Sequence, residues 1–213
     1  MRAAVAEVAR IVAGARLVEA FGHVSARVPG GFLLTSTDPL GTQSADSVHT
    51  LDAAGAVLVQ GAAGGVPLEA PLHAAIYAAR PDVGAICRTH SPAAVAWGVR
   101  GAVPPLLHGL GGLAGAVAVW GGDADLVVSD AQGAAVAAAL DSADCLLVQA
   151  NGNVATGATL NQAAVRAWFL EERARIALEA GLEASPLTDL DARARHFAAE
   201  EARAWRWLQE SYA

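Results

Sequence analysis

The chain of 213 residues contains no lysine, because all fourteen residues in its lysine-plus-arginine count are arginines. A Schiff-base aldolase, a pyridoxal-phosphate enzyme and a phosphate-loop NTPase each need a lysine amine, so the sequence excludes these three mechanisms. The use of arginine in place of lysine, together with abundant alanine and glycine, is typical of proteins from GC-rich bacterial genomes.

Basic residues are few and form no cluster. The formal net charge is −7, whereas a nucleic-acid surface needs a stripe of cations to displace counterions from phosphates. The chain has two cysteines, Cys87 and Cys145, and each lies in an apolar, strand-like segment where it is interpreted as a small hydrophobic residue. We therefore expect neither a nucleic-acid partner nor a catalytic thiol.

Long apolar segments are also missing, although 54% of the residues are hydrophobic. Glycine, proline, aspartate or arginine interrupts every alanine-rich run, so no stretch approaches the ~20 apolar residues of a membrane span. Glu7 and Arg10 interrupt any apolar core of a signal peptide. The sequence predicts a cytoplasmic protein without a membrane partner, and its length predicts one domain over residues 1–213.

Hydrophobic periodicity predicts helices that alternate with short strands. Apolar residues at helical spacing predict a first helix over 2–20, and alternating segments around glycine turns predict two β-hairpins. A glycine-rich segment, 109–115, lacks the spacing of a dinucleotide-binding loop. The predicted strands are 24–28, 32–35, 49–52, 56–60, 83–89, 145–149 and a short strand ending at Gly157; the later predicted helices are 67–79, 93–97, 129–140, 160–180 and 189–212.

Four polar residues are the first candidates for chemistry. Glu69 lies in the first turn of the predicted helix 67–79, and His73 follows four residues later, so their side chains share one face. Arg88 and His90 lie at the end of the next strand, where α/β sheets tend to place ligand sites. By contrast, Arg27 is interpreted as ordering the hairpin, and the histidines at positions 49, 108 and 196 as loop or surface residues.

Three sequence segments occur in a specific order and spacing. They are GHVSAR at 22–27, PLEAPLHAAIY at 67–77 with RPDV at 80–83 and THSP at 89–92, and LLVQANG at 146–152 with Gly157 and Ala163. In these segments the chain resembles the class II aldolase/adducin family, which includes fuculose-phosphate and rhamnulose-phosphate aldolases, ribulose-phosphate epimerase and the adducin head. The resemblance covers residues 3–179. It implies a single-domain, three-layer α/β/α fold with a central, mostly antiparallel β-sheet flanked by helices.

The resemblance also implies a metal site that this chain does not preserve. In the family, a glutamate matching Glu69 acts as acid and base, and three histidines bind a divalent metal, usually zinc. Arg88, His90 and Asn151 occupy the three histidine positions, so two ligands are replaced. Arginine cannot give up its proton to become a ligand, and its charge repels a dication. We therefore expect no cofactor.

An alternative is a shifted Zn²⁺ or Mn²⁺ site made of His23, His73 and His90. A histidine on a helix, such as His73, is more often a core residue or a support for other groups than a ligand.

The residues expected around a substrate differ from those of the sugar-phosphate aldolases. Those enzymes hold phosphate through the turn after the first hairpin and through a Ser-Ser pair before the glutamate; here Leu68 stands directly before Glu69 and cannot donate to phosphate. His23 replaces an asparagine, in a form more similar to family members that act on carboxylates. We expect a small, non-phosphorylated carboxylate or keto substrate. The predicted substrate-binding residues are His23, Ser25, Thr35, Ser36 and Asn151.

Two hypotheses from different classes follow. The first is a lyase that makes or breaks a carbon–carbon bond next to a carbonyl, by aldol cleavage or decarboxylation, without the family metal. Arg88, with Asn151 as a neutral donor, would stabilise developing negative charge; Glu69 would move the proton and His90 would assist or orient the substrate. The second is a non-catalytic binding or assembly module similar to the adducin head, in which Arg88 is only the buried partner of Glu69.

The resemblance further implies a ring-shaped homotetramer with active sites between subunits. Trp205, Trp207 and Tyr212, with Trp120 interpreted as part of a glycine-rich loop, would expose a large apolar area on a monomer. We expect a homo-oligomer, specifically a tetramer.

Overall fold

The computed structural model describes residues 1–122, 125–181, 183–188 and 194–213. Its strands are β1 (His23–Val28), β2 (Gly31–Leu34), β3 (His49–Asp52), β4 (Val57–Val59), β5 (Ala85–Thr89), β6 (Val117–Trp120), β7 (Cys145–Val148) and β8 (Asn153–Gly157). Its helices are α1 (Arg2–Gly14), α2 (Ala70–Ala79), α3 (Pro92–Val99), α4 (Asp130–Leu140), α5 (Leu160–Ala180) and α6 (Phe197–Tyr212). Short 3₁₀ helices cover Leu40–Thr42 and Gly109–Ala114.

The strands form one eight-stranded sheet in the order β4-β3-β2-β1-β5-β8-β7-β6. Neighbouring strands are antiparallel except for the parallel pair β6 and β7. Two separate hydrophobic clusters cover the sheet: α1, α3 and α5 contribute to one, and α2 and α4 to the other. The predicted α/β/α architecture with a mostly antiparallel sheet is confirmed.

Alternation of side chains along the strands decides which residues face α2. In β5, Ala85 and Cys87 belong to the α1/α5 cluster, whereas Ile86 belongs to the α2/α4 cluster. Because successive residues of a strand point to opposite faces, Arg88 lies on the α2 side with Ile86. His23 of β1 lies directly opposite Arg88 in the β1–β5 register and therefore shares that side.

Two predicted helix boundaries near the site are wrong. The first helix ends at Gly14 rather than at residue 20, because Arg16 adopts a positive φ of 58° that turns the chain out of the helix. Leu17 and Val18 remain buried beyond this turn, which explains the apolar periodicity that suggested a longer helix. The second helix begins at Ala70 rather than at Pro67, so Glu69 occupies its N-cap position instead of its first turn. The Glu69 side chain makes no capping hydrogen bond.

Other differences concern residues interpreted as loop or surface. Trp120 ends a strand, β6, that the prediction omitted. His49 is fully buried: its Nε2 lies 3.0 Å from Gly65 O and its Nδ1 accepts a 2.9 Å hydrogen bond from Gly61 N. The last helix starts at Phe197 among the described residues, and the first part of its predicted range, 189–193, lies outside them.

Most of the C-terminal aromatic residues and both cysteines are packed into the core. Trp205 and Tyr212 of α6 pack against the cluster that contains α1 and α5, so of the aromatic residues named for the C-terminus only Trp207 is exposed, at 41%. Both cysteines are buried and unbridged, and burial raises the pKa of each thiol. No helix in the described part of the chain is long and apolar enough to cross a membrane.

Candidate active site

A cavity of about 450 Å³ opens where four parts of the chain meet. These are the segment before β1, the start of α2, the end of β5 and the turn between β7 and β8; Thr37 after β2 and Leu126 before α4 complete the wall. The walls combine apolar and polar side chains. The lining residues are Ala20, Phe21, Gly22, His23, Thr37, Pro67, Leu68, Glu69, His90, Leu126 and Asn151.

Glu69 is the buried carboxylate of this cavity. Its Oε2 lies 3.2 Å from Arg88 Nε and 3.4 Å from His23 Nε2, and its Oε1 accepts from Arg88 Nη2 at 3.4 Å and from Val127 N at 3.3 Å. Burial by itself raises the pKa of a carboxyl group, but the His23 hydrogen bond and the Arg88 charge outweigh burial and hold the Glu69 pKa well below its ordinary value. Glu69 is therefore ionised at neutral pH.

Arg88 lies behind Glu69 rather than in the cavity. Its side chain is fully buried, its Nη1 donates to Thr89 O at 3.1 Å, and its Nη2 donates to Glu69. Its Nε is within ion-pair distance of Glu69 Oε2, although the N–H direction gives no hydrogen bond. In this conformation the guanidinium neutralises Glu69 and does not line the cavity, which differs from the predicted role of Arg88 in stabilising negative charge on a substrate.

Gly152 makes room for that guanidinium. It adopts a φ of +79°, and an added Cβ would collide with Arg88 Nη1 and Thr89 O and would lie 2.8 Å from His90 Cδ2. The β7–β8 turn can therefore close over Arg88 only with glycine at this position.

His23, which lines the cavity, contacts the buried ring of His73. His23 Nδ1 lies 2.9 Å from His73 Nε2, and His73 Nδ1 lies 2.7 Å from Ser25 Oγ. Burial lowers the pKa of both rings, partly opposed by the charge of Glu69, so both are neutral at pH 7. Glu69 and His73 share one face of α2 as predicted, since both side chains contact His23.

His90 and Asn151 form the opposite edge of the cavity. His90 Nδ1 lies 3.2 Å from Phe21 O, and His90 Nε2 lies 3.4 Å from Asn151 Oδ1. Burial, followed by the Arg88 charge, lowers the pKa of His90. Both ring nitrogens face oxygen acceptors, so a protonated ring would have both N–H groups satisfied.

Three of the predicted substrate-binding residues are buried and do not line the cavity. Ser25 contacts His73 and Tyr77, Thr35 Oγ1 accepts from Val24 N at 3.1 Å, and Ser36 is bonded to Gln43. His23 and Asn151 do line it, as do the predicted catalytic residues Glu69 and His90. Thr37, next to the predicted pair, lines it in place of Thr35 and Ser36.

Sequence reasoning also missed the apolar walls, Phe21, Leu68 and Leu126. Phe21 and Leu68 are exposed by 77% and 69%, and no pattern distinguishes such residues from ordinary surface positions.

Comparison with family models decides the relationship. The model for the Class II Aldolase and Adducin N-terminal domain matches residues 3–178. The chain belongs to this family. Among curated relatives, a 3,4-dihydroxyphthalate decarboxylase of Rhodococcus jostii is 30% identical over 204 residues, which cover 89% of this chain and 84% of the relative. A 3,4-dihydroxyphthalate decarboxylase of Terrabacter is 28% identical over 205 residues, covering 90% and 85%.

Solved structures agree on the class II aldolase fold. An L-fuculose 1-phosphate aldolase from Glaciozyma antarctica superposes with a TM-score of 0.80 at 22% identity, covering 99% of this chain and 90% of that one. An aldolase II superfamily protein from Pseudomonas syringae gives 0.81 at 22% identity, covering 99% and 91%.

The residues at the metal position of the class II aldolase family do not fit a metal. Arg88 is committed to Glu69 and Thr89 O, and Asn151 offers a single amide oxygen. The alternative set also fits poorly, because His73 uses both ring nitrogens in contacts with His23 and Ser25. Within the described residues, no group of three or more His, Cys, Asp or Glu side chains has an arrangement that could hold a metal ion.

Proposed function

We propose that the protein is a lyase that removes the carboxylate group from a small, non-phosphorylated acid with a hydroxyl or keto group on the carbon next to the one that bears the carboxylate. The observation that carries the proposal is Glu69, a buried carboxylate that faces a cavity and is kept ionised by Arg88 behind it and His23 beside it. Two curated relatives, at 30% and 28% identity, are named as decarboxylases of an aromatic dihydroxy acid, which supports the same reaction class.

Decarboxylation needs a base, an acid and a group on the substrate that accepts the electron pair of the broken bond. When the bond to the carboxylate breaks, CO₂ leaves, its former electron pair stays on the substrate carbon, and a proton must reach that carbon. In a keto acid, the carbonyl on the next carbon takes up this pair as an enolate. In a hydroxy-substituted aromatic acid, the proton must reach the carboxylate-bearing ring carbon first, which converts the neighbouring phenolate into a ketone; loss of CO₂ then returns the electron pair to that oxygen. Glu69, being ionised, is suited to accept the hydroxyl proton, and His90, with an acceptor beside each ring nitrogen, is suited to hold the proton delivered to carbon.

The cavity walls favour carboxylate loss. Phe21, Leu68 and Leu126 give apolar surfaces that suit a flat ring, and none of the described lining residues is an arginine. A carboxylate held there against apolar walls lacks a compensating cation, whereas the CO₂ product is neutral. The apolar walls therefore favour decarboxylation, which converts a charged carboxylate into neutral CO₂. Aldol cleavage does not remove the carboxylate charge and gains nothing from these walls.

Arg88 supplies the permanent positive charge that a metal would otherwise provide near Glu69. We infer that the reaction proceeds without the family metal, because the guanidinium occupies the space between Glu69 and Gly152. A binding module would be favoured if the Glu69–Arg88 pair filled the site. The cavity of about 450 Å³ over Glu69 supports the enzyme instead.

A ligand panel followed by a product assay tests the proposal. Hydroxy-substituted aromatic acids and keto acids should raise the melting temperature, whereas sugar phosphates should not, because a ligand that binds the folded state stabilises it. Acids that bind are then assayed for CO₂ release. Glu69→Gln should reduce the rate at least about 100-fold, and Glu179→Gln, in an exposed pair with Arg175, is the matched control. Stabilisation by sugar phosphates and by none of the acids would contradict the proposal.

A further inference from the structure

A row of polar contacts continues from Glu69 through His23, which lines the cavity, into the core, where its further residues do not line the cavity. After His23 and His73, the row passes through Ser25 Oγ to Tyr77 Oη, which lies 2.7 Å from Ser25 Oγ. Ser25 and His73 are fully buried and Tyr77 is 5% exposed. These residues have no direct access to a substrate, so any role in the reaction must act through His23.

The row exists because a helix and a strand happen to match in spacing. Glu69 at the N-cap of α2, and His73 and Tyr77 within the helix, are spaced four residues apart, which places them about 6 Å apart along the helix axis. His23 and Ser25 are two residues apart on β1, a rise of about 7 Å on one face of the sheet. The two sets therefore alternate in space: Glu69, His23, His73, Ser25, Tyr77.

The carboxylate fixes the direction of every bond in the row. An ionised carboxylate only accepts, so the ring proton of His23 belongs on Nε2, the nitrogen that lies 3.4 Å from Glu69 Oε2. In a neutral ring, His23 Nδ1 must then accept from His73 Nε2–H. By the same rule, His73 Nδ1 accepts from the Ser25 hydroxyl, and Ser25 Oγ accepts from the Tyr77 hydroxyl.

The opposite direction of hydrogen bonding along the row is disfavoured both at Glu69 and at Tyr77. Reversing the row would turn the lone pair of His23 Nε2 towards the Glu69 carboxylate. It would also leave the Tyr77 hydroxyl proton without its Ser25 acceptor, at a site where burial raises the tyrosine pKa and keeps the group protonated. Because the Tyr77 hydroxyl donates at one end of the row and the Glu69 carboxylate accepts at the other, all hydrogen bonds in the row donate towards Glu69.

We propose that His73, Ser25 and Tyr77 are positioning residues that fix the ring orientation and the Nε2–H tautomer of His23. His23 then presents a fixed N–H donor to Glu69 and to a ligand in the cavity. The catalytic consequence rests on the proposed function, whereas the bonding pattern stands independently of it.

Nitrogen NMR of the imidazole rings tests the bonding directly. In the wild-type protein, His23 and His73 should both be neutral with the proton on Nε2. His73→Leu should move the His23 Nδ1 signal to that of an unbonded nitrogen and lower kcat at least about tenfold with little change in KM. His73→Gln retains an N–H donor and a carbonyl acceptor, and should restore most of both effects.

His49 provides the matched control. It is as fully buried as His73 and makes two hydrogen bonds, but to the backbone of Gly61 and Gly65. His49→Leu should lower stability while leaving the nitrogen signals of His23 unchanged.

A His23 ring protonated on Nδ1, or unchanged His23 signals in folded His73→Leu, would overturn the inference. If His73→Leu does not fold, Ser25→Ala decides: the His73 Nδ1 signal should shift, and an unshifted signal overturns the inference. If the wild type releases no CO₂ from any acid but the NMR pattern is as expected, the proposed function fails and the positioning of His23 stands.

Discussion

Arg88 Nε lies 3.2 Å from Glu69 Oε2, with the Arg88 side chain fully buried and that of Glu69 nearly so. The His23 hydrogen bond and the Arg88 charge stabilise the Glu69 carboxylate, and the Glu69 charge stabilises the buried Arg88 guanidinium. Removing one partner of a buried ion pair costs about 3–5 kcal/mol, whereas replacing both partners by neutral groups is often tolerated. This pair therefore links the stability of the fold to the ionisation of the candidate base.

Arg88→Leu should lower the free energy of unfolding by about 3 kcal/mol or more, because it leaves the Glu69 carboxylate buried without its cation. Adding Glu69→Gln to this variant should recover a large part of the loss. Urea denaturation of the two single variants and the double variant measures the coupling. Strictly additive losses would contradict a direct interaction.

Gly152→Ala should destabilise the protein more than Gly30→Ala does. Both glycines have a φ near +80°, but a Cβ at Gly30 meets nothing within 4 Å, whereas one at Gly152 collides with Arg88 and Thr89. The common backbone cost is about 1 kcal/mol, and overpacking adds about 1–3 kcal/mol at Gly152 alone. Equal losses in thermal unfolding would show that Arg88 is not held against this turn.

The wild-type protein should contain well under one divalent metal per chain and should keep its activity in excess chelator. Arg88→His combined with Asn151→His rebuilds the three histidines of the family with His90, and this variant should bind Zn²⁺ stoichiometrically. Elemental analysis of both proteins after dialysis against zinc gives the comparison. Stoichiometric metal in the wild type would remove the proposed role of Arg88.

Stability should fall as the pH drops below about 6.5. His23 and His73 have ordinary pKa values of 6.5 that burial lowers in the folded state. Below 6.5 the unfolded chain therefore binds protons that the folded protein excludes. Each histidine then reduces the free energy of unfolding by up to about 1.4 kcal/mol per pH unit, until the pH passes below the lowered pKa of that ring. Glu69, with its lowered pKa, adds a further loss only below its ordinary value of 4.5.

His73→Gln removes one of these two groups and should flatten the pH dependence between 6.5 and 5 by up to about 1.4 kcal/mol per pH unit. His196→Gln, at an exposed ring, should leave the slope unchanged. An identical slope in His73→Gln and wild type would mean that His73 takes up a proton in the folded protein.

We expect a homotetramer in solution. The exposed apolar side chains differ from those that the sequence suggested: Trp205 and Tyr212 pack inward, whereas Phe21, Leu68 and Leu58 are exposed by 77%, 69% and 61%. Burial of such side chains between subunits would stabilise the assembly. Light scattering at micromolar concentration gives the mass, and a monomer would contradict the expectation.

The sequence by itself determined the architecture. Periodicity and capping residues predicted α5 with the bounds that the structure shows, because Thr159 accepts from Gln162 N and a glycine follows Ala180. The resemblance to the class II aldolase/adducin family implied that Glu69, Arg88 and His90 belong to one site. Helical spacing by itself placed Glu69 and His73 on one face. Replacement of two ligand histidines was equally visible without a structure.

Only the tertiary structure decided how deep each polar residue lies. Periodicity assigns a side chain to a face of a strand or helix, but the next layer determines whether that face meets solvent, a cavity or another side chain. Thus Ser25 lies beneath α2 and binds His73, His49 is enclosed by the 61–65 loop, and Arg88 faces Glu69 instead of the substrate cavity. The apolar walls of that cavity, Phe21, Leu68 and Leu126, come from three segments far apart in the chain, whose proximity depends on packing that no local pattern encodes.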